Sequence, residues 1–272
     1  MEMIDLSRLE PQETLNHTSK GNQLKWKYYG YWYKADHMGY EGLAETIVSA
    51  LLGKSTVKYP FVAYEYSQIK YKERIYRGCK SADFLADGYD LIPLEKLYRK
   101  FTGGSLAVDT AHQGEITDQI KFLVNFVEQT TGLQEFGRYL TSMLEIDAFF
   151  LNEDRHTNNI AVQYNAADNT YALCPLFDNG LSLLADTNMD FPLERSLEDC
   201  LKTVEAKPFS IYFDDQLDAA ENLYGIQLHF NFSTNDVKAL IDSYRTAYSQ
   251  EICDRCEALI RRQMRHYGYL VQ

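Results

Sequence analysis

One stretch constrains this chain more than any other. An apolar-faced run from Leu133 to Phe150 leads into Asn152-Glu153-Asp154-Arg155-His156-Thr157-Asn158-Asn159. Two short runs follow, Ile160-Ala161-Val162-Gln163-Tyr164 and Tyr171-Ala172-Leu173-Cys174, joined by the polar segment Asn165 to Thr170. Then comes Pro175-Leu176-Phe177-Asp178-Asn179-Gly180, with Asp178 nineteen residues beyond Asn159. Two strand-like runs flanking a short polar turn predict an antiparallel hairpin. Its two ends carry Asp154 and Asn159 on one side and Asp178 on the other, so the local order predicts three side-chain oxygens facing one cleft.

The elements around this stretch are unevenly distributed. In the first third, Leu24 to Tyr29 and Tyr31 to Ala35 are aromatic-rich strand candidates flanking Gly30, and 61–66 and 74–77 read as two more. Between them, Glu41 to Leu52 places Leu43, Ala44, Ile47, Val48, Leu51 and Leu52 on one helical face, closed by Gly53. Beyond residue 80 the periodicity is helical: 94–101, 117–129 with Thr117 as a capping candidate, 133–150, 213–223, 235–249 and 251–266. No internal repeat or low-complexity linker interrupts the chain. The expectation is an α+β fold of two lobes, a small β-rich lobe over 1–80 and a larger α-helical lobe over 81–272.

Composition narrows the partners. Hydrophobic residues make up 45% of the 272, enough for a substantial core. A formal net charge of −12 argues against nucleic acid and against anionic membrane surfaces. No apolar run reaches membrane-spanning length. The acidic start, Met1 to Leu15, does not read as a secretory leader. The five cysteines, scattered and odd in number, suit free thiols in a cytoplasmic protein. Cys253-Asp254-Arg255-Cys256 lacks a second pair or a histidine cluster to complete a zinc site.

The chemistry rests on spacing. Protein kinases carry a catalytic Asp and, five residues on, a metal-binding Asn, followed after a hairpin by an Asp-Phe-Gly metal site. Asp154 and Asn159 have that separation, and Phe177-Asp178-Asn179-Gly180 occupies the later position. Phosphoryl transfer asks a protein mainly for positioning and for charge around the phosphates. Asp154 is the expected catalytic residue, orienting an attacking hydroxyl and accepting its proton. Asn159 and Asp178 are hard oxygen ligands suited to Mg²⁺. One Asp or Asn alone is usually a cap or turn residue, whereas the ordered set points to catalysis. His156 reads as a loop-holding residue, since Asp154 already fills the base role.

Asn152 to Val162 followed by Pro175-Leu176-Phe177-Asp178 resembles the HipA-like serine/threonine kinases, and Lys207-Pro208-Phe209-Ser210 is similar to a segment late in those proteins. The Asp-Arg-His order also resembles phosphoinositide 3- and 4-kinases. The resemblance covers the chain from about Ser19 onward and suits the short stand-alone members, since only about 18 residues precede the phosphate loop. It implies a bilobal kinase fold, ATP and Mg²⁺ as cofactors, and transfer to Ser or Thr of a protein substrate. Lipid or small-molecule kinases and nucleotide-binding pseudokinases stand as alternatives. The kinase template asks for a strand Lys paired with a helix Glu: Lys34 is the expected Lys, ahead of Lys20, Lys25 and Lys27, and Glu41 the expected partner, with Glu45 the alternative one turn later. Ser19-Lys20-Gly21-Asn22-Gln23 stands where the phosphate loop belongs, so Ser19 and Gly21 are nucleotide-binding candidates, and Ser19 is a candidate for autophosphorylation. Gly78-Cys79-Lys80 is expected between the lobes, with Lys80 near the nucleotide. Nothing in the sequence supports an antitoxin or regulatory partner.

Overall fold

The computed structural model describes residues 3–12 and 23–272. The expected phosphate loop, including Ser19 and Gly21, lies outside the described residues.

The first region is a five-stranded sheet carrying one helix. Its strands are β1 (Met3–Asp5), β2 (Lys25–Tyr28), β3 (Tyr31–Ala35), β4 (Tyr64–Tyr71) and β5 (Arg74–Ala82), ordered β1-β4-β5-β3-β2. The β2–β3 hairpin turns on Tyr29 and Gly30, both at positive φ (46° and 78°), the backbone a two-residue hairpin loop demands. β1 pairs parallel to β4 through three residues. That pairing is set by a remote partner, and Met3-Ile4-Asp5 is too short to announce it.

Helix α1 (Glu41–Leu52) lies against this sheet at a close approach of backbones. A Cβ on Gly42 would fall 2.5 Å from the carbonyl carbon of Gly78, and one on Gly78 would fall 2.1 Å from the Lys34 carbonyl oxygen. A glycine at position 42 lets the helix come so near, while Gly78 is kept small by its strand neighbour Lys34. Register then sorts the faces. Lys34 stands opposite Cys79, and Cys79 opposite Tyr66, so these point to the same side. The other side buries Trp26, Tyr33, Ala35, Ile69 and Tyr71 in a satellite core with Leu6.

The second region begins with β6 (Tyr89–Pro93), which joins β7 (Ala161–Asn165) and β8 (Thr170–Leu173) in an antiparallel sheet ordered β6-β7-β8. Around it stand α2 (Leu94–Thr102), α3 (Leu106–Ala111), α4 (Ile116–Thr131), α5 (Phe136–Phe150), α6 (Leu197–Leu201), α7 (Phe213–Tyr224), α8 (Thr234–Asp242) and α9 (Gln250–His266). Nearly every residue of α5 is buried. It is the axis of a continuous core that also takes in Leu43, Ile47 and Leu51 of α1. One helix of the first region thus packs into the second.

The hairpin of β7 and β8 and the helices α1, α2, α4, α5, α7 and α9 match the sequence expectation within a few residues. Other details differ: β4 and β5 run on to Tyr71 and Ala82, past the expected 61–66 and 74–77, and α3 and α6 lie outside the expected helices. Helix α4 is capped at Glu115, not Thr117. Helix α8 starts at a capping box of Ser233 and Asp236 and stops at Asp242, where turns replace the helix expected as far as Ser249. Gly78, Cys79 and Lys80 lie inside β5, paired on both sides, and not between the two regions. The chain leaves the sheet only after Ala82. All five cysteines are buried free thiols. Among the described residues no helix is long and apolar enough to cross a membrane.

Candidate active site

Strand β3 and helix α1 deliver the first half of the site. Lys34 Nζ contacts Glu45 Oε1 at 2.5 Å and Asp178 Oδ1 at 2.8 Å. It also donates to Tyr64 Oη at 3.4 Å. Burial alone would push this ammonium down, but the Asp178 and Glu45 carboxylates outweigh it and hold Lys34 well above its ordinary value. Burial would likewise raise Asp178, yet Lys34 and then Lys25 hold it well below the usual carboxylate range. Asp178 is therefore ionised. Burial raises Glu45, opposed by Lys34 and reinforced by the Asp178 charge.

The partner of Lys34 is Glu45, which corrects the expectation of Glu41. Glu41 opens α1, and its carboxylate folds back to accept from the backbone N–H of Met38 (2.6 Å), Gly39 (3.0 Å) and His37 (3.1 Å). A first-turn carboxylate is drawn to such unpaired N–H groups. Glu45, one turn along, faces β3. Its second oxygen accepts the N–H of Asn179 at 2.8 Å, tying the helix to the segment that carries Asp178.

The loop after α5 supplies the second half. Asn159 donates from Nδ2 to the Asp154 carbonyl (2.8 Å) and to Asp154 Oδ2 (3.1 Å). Both amide hydrogens are committed to Asp154, which leaves the amide oxygen as the atom able to face a cation. His156 turns back on the loop: its Nδ1 accepts from the Asn158 N–H at 3.2 Å, and its Nε2 lies 3.6 Å from Asp154 Oδ1. Lys207, from a distant segment, brings its Nζ to 3.8 Å from the same Asp154 oxygen.

Arg155 joins the two halves. Its buried guanidinium donates to Asp147 Oδ2 (2.8 Å) and Oδ1 (3.0 Å), to the Asn159 carbonyl (3.2 Å), to the Phe177 carbonyl (3.0 Å) and to Asn179 Oδ1 (3.1 Å). The planar five-donor fork is what permits this. Asp147 on α5, further held by Asn152 Nδ2 at 2.8 Å, anchors the assembly to the core. Contacts running through Asn179 and the Phe177 carbonyl thus connect Lys34, Glu45 and Asp178 to Arg155, Asn159 and Asp154. Asp178 itself sits at φ 64°, which turns its carboxylate out of the β8 direction toward Lys34.

Lys80 does not join this set. Its ammonium pairs with Glu65 at 3.3 Å and lies over the Tyr31 ring at 5.6 Å. Sequence reasoning missed Asp147, Tyr64 and Asn179. Asp147 left a trace: a carboxylate in a strongly apolar helix needs a buried partner. Tyr64 and Asn179 left none, since their roles depend on register and on a left-handed backbone turn. Near the cleft, Val62, Tyr64 and Cys79 pack with Phe84 and Phe177, whose rings are 5.5 Å apart.

No protein family matches this sequence, and no curated protein matches it. The fold has a counterpart. The crystal structure of the proinflammatory kinase CtkA of Helicobacter pylori superposes with a TM-score of 0.64, covering 97% of this chain and 95% of that one at 16% identity. The chain has a kinase-like fold, with a β-rich N-terminal region and a helical C-terminal region.

Proposed function

We propose that this protein is an ATP- and Mg²⁺-dependent kinase that transfers the γ-phosphate to Ser or Thr hydroxyls of a protein substrate. The observation that carries the reading is the buried Lys34–Glu45–Asp178 cluster, coupled through Arg155 to Asp154 and Asn159. The kinase-like fold and the HipA-like motif support it. A cytoplasmic protein that binds neither nucleic acid nor membrane agrees with the charge of −12.

The roles follow from the geometry. The Lys34 ammonium, kept charged and fixed by two carboxylates, presents a cation to nucleotide phosphates. The Asp178 carboxylate, held ionised, and the Asn159 amide oxygen form a hard-oxygen pair that fits Mg²⁺. A divalent cation bound there supplies charge neutralisation at the phosphate oxygens. Asp154 accepts the proton of the attacking hydroxyl. The hydroxyl oxygen forms its bond to the γ-phosphorus as the bond from phosphorus to the β–γ bridging oxygen breaks, and that oxygen leaves with the electron pair on ADP.

Incubation with γ-labelled ATP and Mg²⁺, alone and with a cell lysate, tests the proposal. The wild type is expected to label a protein Ser or Thr, located by mass spectrometry. Asp154→Ala is expected to lose transfer by about 10²- to 10⁴-fold while still binding nucleotide. A wild type that binds ATP without transferring phosphate would make the chain a pseudokinase, and label recovered only in lipid or small molecules would move the acceptor class.

A further inference from the structure

Lys207 has no part in the spacing that identifies the site, yet its ammonium stands 3.8 Å from Asp154 Oδ1. The side chain is 39% exposed. A solvent-facing ion pair at that distance contributes little to stability, so packing alone does not account for the position. The backbone that carries it is nevertheless held firmly. Gln216 of α7, fully buried, donates to the Lys207 carbonyl at 3.0 Å and accepts the Phe209 N–H at 3.2 Å. The Ala206 N–H reaches the Ile211 carbonyl at 2.8 Å, closing the loop. Ala206 and Phe209 are buried. The anchored loop sends one long cationic side chain toward the cleft.

The other cations at the cleft are differently placed: Lys25 of β2 acts on Asp178, away from Asp154 Oδ1, where Lys207 stands. Lys34 lies between Glu45 and Asp178. Arg155 is buried, with its donors given to Asp147, Asn179 and two backbone carbonyls. On the Asp154 side, a transferring phosphoryl group needs positive charge that is within reach and still able to move onto it. Lys207 also walls a cavity of about 280 Å³ together with Glu153, Asp190, Arg195 and Glu205. The Arg195 guanidinium there is turned to the backbone carbonyls of Asp190 (3.4 Å) and Asp199 (2.9 Å). The cavity thus lies next to the segment that carries Asp154, reached through its chain neighbour Glu153 and through Lys207.

We infer that Lys207 is a catalytic residue: its ammonium rests against Asp154 and, during transfer, donates to the oxygens of the phosphoryl group moving from ATP to the acceptor. This rests on the kinase reading above. The Lys207 proton is not exchanged. Asp154 takes the hydroxyl proton, ADP leaves with the bridging oxygen's electron pair, and Lys207 balances the charge between them.

The test compares the wild type with Lys207→Met and Lys207→Arg, with the melting temperature of each measured. Phosphotransfer kinetics are read alongside calorimetric binding of ADP and Mg²⁺, with and without aluminium fluoride, which mimics the phosphoryl group in flight. Lys207→Met is expected to lower kcat about 100-fold with KM for ATP within about twofold, and Lys207→Arg to recover about a tenth of the wild-type rate. Fluoride is expected to tighten ADP at least about tenfold in the wild type and no more than about twofold in Lys207→Met. Equal kcat and equal fluoride gain in wild type and Lys207→Met overturn the assignment. So does a loss in Lys207→Met matched by weaker ADP binding and a lower melting temperature, since that is a structural role. A wild type that binds no nucleotide overturns the kinase reading, and this inference with it.

Discussion

At the residue scale, the deciding choice is between two glutamates one turn apart. Both lie on the buried face of α1, and a Cβ on Gly180 would stand 3.4 Å from Glu41 Cβ and 3.8 Å from Glu45 Cγ. Glu41 is spent on three backbone N–H groups, while Glu45 bridges Lys34 and Asn179. Glu45→Gln is therefore expected to reduce phosphotransfer by about 10- to 100-fold, because the neutral amide no longer fixes the Lys34 ammonium. Glu41→Gln is expected to spare most of the rate and to lower the melting temperature. Steady-state kinetics on the two variants separate them, and the reverse ranking would return the pairing role to Glu41. Arg155 gives a second prediction. Arg155→Met strands the Asp147 carboxylate in the core and is expected to destabilise the fold by about 3–5 kcal/mol, read by denaturant unfolding.

At the scale of elements, α5 carries both structural burial and charge. Glu145 on this helix accepts the N–H groups of Gln227 (2.7 Å) and Leu228 (3.1 Å), tying the start of the segment before α8 to the core. Burial, aided by the Glu221 charge, pushes its carboxyl from 4.5 up to about 8 despite those two bonds. Asp36, which holds the Gly42 N–H and the Tyr248 hydroxyl, is raised from 3.8 to about 7, first by burial and then by Glu41. Both folded values lie above the unfolded ones. The stability they confer is complete below the unfolded values and is lost as pH rises through about 7 and 8. Thermal melts are expected to fall by several degrees between those limits, with most of the loss before Glu145 is fully ionised. Glu145→Gln is expected to flatten the slope while losing one accepted bond, worth about 1 kcal/mol. A variant with the wild-type pH slope would remove Glu145 as its source.

At the scale of the whole molecule, the sheet region and the helical region meet through the apolar face of α1 and through specific polar contacts. Lys34 reaches Asp178, Glu45 reaches Asn179, and the Tyr40 hydroxyl donates to the Leu183 carbonyl at 2.6 Å. On the kinase reading a nucleotide bound against Lys34 and Asp178 adds a further tie, so ADP with Mg²⁺ at about 100 times its Kd is expected to stabilise the fold by about 2.7 kcal/mol. Scanning calorimetry reads this as a higher melting temperature. Asp178→Ala is expected to lose the shift, and a retained shift would place the cation elsewhere.

The sequence by itself determined the succession of elements and the spacing of the polar side chains in the loop pair. Helix, Asp154 to Asn159, hairpin and Asp178 were legible because each step is local: periodicity within 133–150, a polar turn within 165–170, and fixed spacing between charged side chains. The fold class was legible for the same reason, from strand-like runs before residue 80 and helical ones after it. Tertiary structure decided what depended on remote partners. The pairing of β1 with β4, the placement of Gly78 to Lys80 inside β5, and the pairing of Lys34 with Glu45 are set by register and by a glycine-to-glycine approach, neither of which leaves a periodic trace. Lys207 lies 53 residues from Asp154 in sequence, and only the loop pinned by Gln216 brings the two charges together. Local order sets which groups a chain possesses, while the long-range packing of helices and strands sets which of them share a cleft.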